Sequence, residues 1–279
     1  MKVTFGRVPK SGVVPLGYTL DSVGPMARSA ADCALLLQVM AGYDATDRFA
    51  SKAAVPDYLS QLTGDVTGLK IGLPMPYFYD APDLSAEVRA AVLAVADTLS
   101  KAGAIVSEVV VPYAVLAKDA NSVTMIGEAY AFHRNNLVNR WTDFGRFTRP
   151  ALGRGVMYTG ADYVQAQRLR TAFRAGVAAV LRDVDVLLTP TSPTPAERTD
   201  EMDVSKRLTQ SSFTGHWNLA GLPAVATPAG FSESGLPMSF QVVGKPFAEG
   251  TILNVAHAYQ QVTDHHLQVP PIVTAEAAA

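Results

Sequence analysis

Five histidines, a single cysteine and a scatter of serines and lysines are what this chain has for acid–base, nucleophilic or metal chemistry. His133, His216, His257, His265 and His266 include no H-E-x-x-H or comparable pair, so spacing builds no zinc-binding face. His265 and His266 are neighbours and point in different directions on any regular element, which fits a solvated helix end better than a ligand pair. One cysteine excludes a disulfide framework and a cysteine-based zinc or iron–sulfur site. No G-x-G-x-x-G or G-x-x-x-x-G-K-[ST] stretch offers a phosphate cradle, and no G-x-S-x-G elbow presents a serine. Read residue by residue, the chain shows no catalytic machinery, metal ligands or cofactor site.

The elements that would hold these side chains are those of an α/β protein. Of the 279 residues, 48% are hydrophobic and 17% charged, enough apolar material for a large core, and the formal charge of −2 leaves no basic footprint for nucleic acid or an acidic membrane. No apolar run approaches the roughly 20 residues of a membrane helix, and the first residues are not a secretory signal, so a cytoplasmic protein is expected. Residues 1–28 are punctuated by glycine and proline and read as an irregular segment. Ser29 caps a first helix, with Asp32 in its first turn and Cys33, Leu36, Leu37 and Met40 as the inward stripe, ended by Gly42; Cys33 is thus a core residue. Residues 69–73 read as a strand, Ser85 caps a helix with Val88, Val92, Val95 and Leu99 inward, and 105–111 read as the next strand, a strand–helix–strand unit that implies parallel pairing. Two long helices follow over 119–140 and 161–182. A strand over 184–188, buried on both faces, then runs into a Thr/Pro-rich stretch from Thr189 that cannot continue a sheet interior. Strands over 223–227 and 238–243, a helix over 248–263 and a frayed tail over 274–279 complete one unit spanning 1–279.

Several segments resemble the amidase signature family of amide hydrolases. Lys2-Val3-Thr4-Phe5-Gly6-Arg7-Val8 and Gly12-Val13-Val14-Pro15-Leu16 are similar to its K-P-T-Y-G-R-V and G-V-V-P-L stretches. Thr19-Leu20-Asp21-Ser22-Val23-Gly24-Pro25-Met26-Ala27-Arg28 is similar to S-L-D-H-V-G-P-M-A-R. Asp185-Val186-Leu187-Leu188-Thr189-Pro190-Thr191, Asn218-Leu219-Ala220-Gly221-Leu222-Pro223-Ala224 and Gly235-Leu236-Pro237 with Gln241 and Gly244-Lys245-Pro246-Phe247 continue the match in order along nearly the whole chain. The resemblance implies α/β/α layers around a mixed sheet, incomplete on the N-terminal side. It also implies a Ser–cis-Ser–Lys triad, with a glycine-rich loop stabilising the oxyanion and no cofactor or metal. It places that loop and all three triad residues ahead of Lys2, so this chain is expected to carry no catalytic residue of its own and to be inactive alone. The start could be misplaced in a longer gene, the gene could be broken, or a short protein could act as a partner. Lys10, Ser11 and Ser22 have no oxyanion loop beside them and are not expected to substitute for the triad.

What the resemblance leaves to this chain is the acyl pocket for a small amide. Thr189 and Pro190 are candidate wall residues, since ligands of open α/β sheets sit beyond strand carboxyl ends, though a plain Thr–Pro turn is an equal reading. His216 and Trp217 replace smaller residues of the family and are candidates for tuning substrate choice. Asn218 is a pocket candidate or the fastener of a turn. Arg149 matches a position where the family's amidotransferase subunits contact substrate, or is a surface arginine. Ser211 replaces an acidic residue of those subunits, which favours a general carboxamide over glutamine. An incomplete sheet would expose strand edges, so self-association is expected. A non-catalytic binding or scaffold protein on the same fold is the other reading.

Overall fold

The computed structural model describes residues 1–200, 210–270 and Val273; the tail expected to fray over 274–279 lies outside them. Residues 1–28 carry no helix or strand beyond a single antiparallel bridge from Lys2 to Ala224. The first helix, α1, is Ala30–Met40; the Ser29 hydroxyl accepts from Asp32 N at 3.0 Å, as the N-cap reading requires. Gly42 follows the C-cap, and its N–H donates to Arg7 O at 3.1 Å. The inward face is Ala30, Cys33, Ala34 and Leu37, with Met40 packed on the core, so Cys33, Leu37 and Met40 of the expected stripe turn inward and Leu36, 44% exposed, does not. α1 is apolar nearly all round, so period alone could not place Leu36, and the face bearing two alanines packs on the last helix.

Strand β1 (Lys70–Pro74) leads into one tight turn, Met75–Phe78, then α2 (Ala86–Lys101) and β2 (Ile105–Val109). The Ser85 cap and the Val88, Val92, Val95 and Leu99 stripe of α2 are as expected. β1 and β2 pair in parallel. Helix α3 (Ala114–Asn139) begins a turn earlier than its pattern suggested, and α4 (Thr148–Gly153) is short. Helix α5 (Gly160–Asp183) starts from a capping box between Thr159 and Asp162. β3 (Val186–Pro190), α6 (Gly215–Ala220), β4 (Ala224–Phe231), β5 (Pro237–Gly244) and α7 (Glu249–Gln261) complete the fold.

The sheet order is β2-β1-β3-β5-β4, with β1 parallel to β2 and β3, and β5 antiparallel to β3 and β4. Thr189 and Pro190 belong to β3 instead of ending it, because β1 pairs only as far as Leu187. Thr191 N donates to Ser239 O, which puts the missing N–H of Pro190 on the side where pairing has already stopped. Consecutive β5 residues show the layering. The Phe240 ring meets Tyr259 of α7, at 5.0 Å between centroids, while the Gln241 amide reaches Phe213 O at 2.8 Å beside α6. Helices α2 and α7 therefore cover one face, and α3, α5 and α6 form the other layer.

The irregular N-terminal segment is tied into both helical layers. Thr4 N donates to Glu249 Oε1 at 2.8 Å, and Phe247 N to Thr4 Oγ1 at 2.8 Å. Gly6 has φ +86°, and a Cβ there would stand 2.2 Å from Phe49 O, so only glycine fits. Glu128 of α3 accepts from Thr19 N, Thr19 Oγ1 and Tyr163 OH at 2.7–2.8 Å. Arg170 of α5 donates to Thr19 O, Thr19 Oγ1 and Leu219 O at 2.7–2.9 Å. Arg170→Met should therefore lower the unfolding free energy by about 2–3 kcal/mol, since charge-assisted bonds are lost and Glu128 loses a neighbouring cation. Arg174→Met, on the exposed part of the same helix, should change it by less than about 0.5 kcal/mol in the same urea titration.

Candidate functional site

At the carboxyl end of β3 the chain builds a cleft of about 460 Å³, and its lining begins with Thr191, one residue beyond Pro190. Among the described residues six hydroxyl side chains line it, from Thr191, Ser192 and Thr194 on one wall and Ser211, Ser212 and Thr214 on the other, together with Glu197. Gln241, buried inside the sheet, holds the two walls in register: its Nε2 donates to Pro190 O at 3.0 Å and to Phe213 O at 2.8 Å. Thr191 Oγ1 donates to Ser239 O at 3.0 Å, and Ser85 N to Pro193 O at 2.8 Å, which fasten the first wall. Tyr77, at φ +75°, fastens the second by donating from its phenol to Ser212 O at 2.9 Å. Burial pushes that phenol up to about 12, so it stays a donor. Ser211 N donates to Asp83 Oδ2 at 2.7 Å. Burial would raise the Asp83 carboxyl, but the Ser211 bonds outweigh it and hold the group below the usual carboxylate range.

The sequence candidates fall into three places. Thr189 and Pro190 lie directly behind the cleft; Thr189 is fully buried and its Oγ1 has no partner. His216 and Trp217 are fully buried in α6, in a nest of Tyr77, Phe78, Phe173 and Phe213 rings, where Trp217 stacks on Phe78 at 5.4 Å. They shape the body under the second wall and do not enter the cleft lining. Asn218 Nδ2 donates to Leu20 O at 3.2 Å, a long-range bond to the N-terminal segment instead of a bond within its own turn. Arg149 sits apart in α4, where its Nε donates to Phe144 O at 2.6 Å beside a satellite cluster of Ala129, Leu137 and Leu152. The structure thus joins Thr189, Pro190 and the α6 residues to one region and leaves Arg149 outside it.

Lys10, Ser11 and Ser22 are not brought together as a nucleophile and base. Lys10 Nζ donates to Tyr18 O at 2.6 Å within a ring of Phe5, Tyr18 and Phe49, Ser11 Oγ meets Thr46 Oγ1 at 2.8 Å, and Ser22 Oγ faces Leu20 O. Among the described residues no three His, Cys, Asp or Glu side chains gather as metal ligands, and no helix is long and apolar enough to cross a membrane. Residue-level reasoning missed Tyr77 and Asp83, because their partners are backbone groups far away in the chain. Gln241 could be found only through the family motif.

His216 Nε2 lies 2.7 Å from Ala114 O, so the neutral ring carries its proton there, while Nδ1 has no partner. Burial pushes its pKa down to about 4 from the ordinary 6.5. The unfolded chain therefore binds a proton that the folded one refuses, and stability present above pH 6.5 is lost as pH falls toward 4, by about 3 kcal/mol. Unfolding free energies measured across that window should fall on this slope. His216→Phe should be less stable at neutral pH, with Ala114 O unpartnered, and should lose the slope.

Comparison with known proteins places these features in one context. The family model described as Amidase matches residues 1–253. The A-type subunit of the glutamyl-tRNA(Gln) amidotransferase of Geobacillus thermodenitrificans (strain NG80-2) is 36% identical over 296 residues, covering 97% of this chain and 60% of that protein. A solved protein from a vestigial complex tied to the origins of an s-triazine catabolic enzyme superposes with a TM-score of 0.86 at 29% identity, over 96% of this chain and 59% of its own. The corresponding amidotransferase subunit from Thermotoga maritima gives 0.79 at 30% identity, over 93% and 57%. The chain spans about three fifths of the length of the relatives it matches.

Proposed function

The chain belongs to the amidase family, and on that premise we propose that it forms the pocket-bearing part of a carboxamide hydrolase. The complete catalyst cleaves a carboxamide to a carboxylate and ammonia or an amine. A serine Oγ attacks the carbonyl carbon as its proton passes through a second serine to a neutral lysine, and the tetrahedral oxyanion is held by backbone N–H groups. Collapse expels the amine, which takes that proton, and water then cleaves the acyl ester. The family places both serines and the lysine ahead of Lys2, the nucleophile in a G-G-S-x-R-x-P stretch, and this chain alone is inactive.

The observation that carries the reading is where the family's motif residues lie. Thr191 and the Phe213–Thr214 start of the segment leading to Asn218 line the hydroxyl-rich cleft, and Gln241, from a third stretch, ties Pro190 O to Phe213 O behind them. Such a cleft suits an uncharged polar group that both donates and accepts, as a carboxamide does. With Ser211 in its lining, a general carboxamide is favoured over glutamine.

Partner association fits the same reading. One relative is a subunit of an amidotransferase and another comes from a protein complex. Here, among the described residues, β4 carries only the Lys2 bridge on its outer side, and α1 turns Leu35, Leu36 and Val39 outward. A non-catalytic scaffold is the second reading, favoured by the lack of a nucleophile–base pair among Lys10, Ser11 and Ser22.

Ammonia release from small aryl amides separates the readings. The chain alone should give none. Co-expression with a segment carrying both triad serines, the lysine and the glycine-rich loop should restore turnover, and replacing that segment's serine nucleophile by alanine should abolish it. Turnover by the chain alone, or none after a demonstrated complex forms, would contradict the proposal.

A further inference from the structure

We infer that the groove along α5 docks an acidic, amphipathic helix of another polypeptide. The groove holds about 670 Å³ between α5 and the turn that joins α6 to β4. Its floor is apolar and shallow-sided, made of Ala175, Ala178 and Leu181 on α5 and Ala220 and Leu222 opposite. Three of these five are alanine, which lets a helix backbone come close, within the separation at which helices pack. Its rim is cationic, with Arg174, Arg182 and Lys245.

The arginines mark the direction and chemistry of the occupant. Arg174, Ala178 and Arg182 follow one another at four-residue steps along a single ridge of α5, so the backbone positions of the two arginines are about 12 Å apart along the axis. Neither has an ion-pair partner among the described residues, whereas Lys245 is 3.4 Å from Asp185. Arg174 instead opposes the charge of Arg170, one turn earlier. The acids of α5, Asp162 and Asp183, stand at its two ends. A helix laid along this groove with small apolar residues inward and carboxylates about seven or eight positions apart would meet both arginines and cover the floor. A nucleic acid would leave the apolar floor uncovered, and a basic helix would meet like charge.

A charge swap tests this directly. Two capped helical peptides of about 18 residues, long enough to hold helix when docked, share one Ala/Leu stripe and differ only in Glu or Lys at the two rim positions. Fluorescence anisotropy is read against the full chain and against Arg174→Glu/Arg182→Glu, whose melting curve confirms that it folds. The Glu peptide should bind the native chain at least about tenfold tighter than the Lys peptide, lose that advantage as salt rises, and rank second against the double variant. Ala178→Trp should abolish binding of either peptide. Equal binding of both peptides, no binding to the native chain, or indifference to Ala178→Trp would overturn the proposal. So would sedimentation showing that Ala178→Trp breaks up a self-associated form, which would make the occupant a second copy. Activity enters none of these readouts, so the result stands apart from the hydrolase reading.

Discussion

Irregular backbone can be buried only where its N–H and C=O groups find partners, and the buried stretches of the first 28 residues meet that condition through partners drawn from across the fold. They are anchored by side chains from distant parts of the chain: Glu249 on Thr4, Glu128 and Arg170 on Thr19, and Arg7 reaching out to Ala53 O and Ala54 O. The Glu249, Glu128 and Arg170 ties fix helices as well as the segment, so α3, α5, α6 and α7 are held by the same side chains that hold the segment down, while Arg7 fastens the 53–54 loop. The arrangement leaves Glu249 Oε2, Tyr58 OH and Arg7 Nε buried without partners, in a neighbourhood where the phenol feels both charges. That polar cost is carried by the core around it.

The cleft follows from this scaffold by one further step. Gln241 points to the α6 side because Phe240 must fill the α7 side, and from there its amide can join the last residue of β3 to the start of the second wall. The walls themselves are loops rich in hydroxyls, fastened by Tyr77, Asp83 and Ser239 and backed by an aromatic nest that keeps His216 neutral. A rigid apolar base with adaptable polar walls is what a small polar substrate requires.

Much of the frame was legible in the residues. The Ser29 and Ser85 caps, the α2 stripe, the parallel β1–β2 pair and the apolar β3 followed from period and capping. The inward face of α1 followed except at Leu36, which is as apolar as its neighbours, and packing against α7 turned the small Ala30 and Ala34 inward beside Cys33 and Leu37. The end of β3 was misplaced because proline was read without knowing that its neighbour strand had already stopped. Ties such as Arg170–Thr19 and Tyr77–Ser212 join residues far apart in the chain and leave no local pattern. Of the candidate residues, Thr189 and Pro190 stand behind the cleft without lining it, the depth of His216 and Trp217 had no local signal, and Arg149 lies elsewhere.

The central claim is that the hydroxyl-lined cleft is a carboxamide pocket, and the most direct measurement is amide binding by the isolated chain, resolved by residue. Backbone amide shifts recorded while titrating a small aryl carboxamide should move at 191–197 and 210–214, with Kd of about 1 mM, near 4 kcal/mol of binding, and Gln241→Leu should erase them. Shifts confined to other surfaces, or none at saturating amide, would contradict the account.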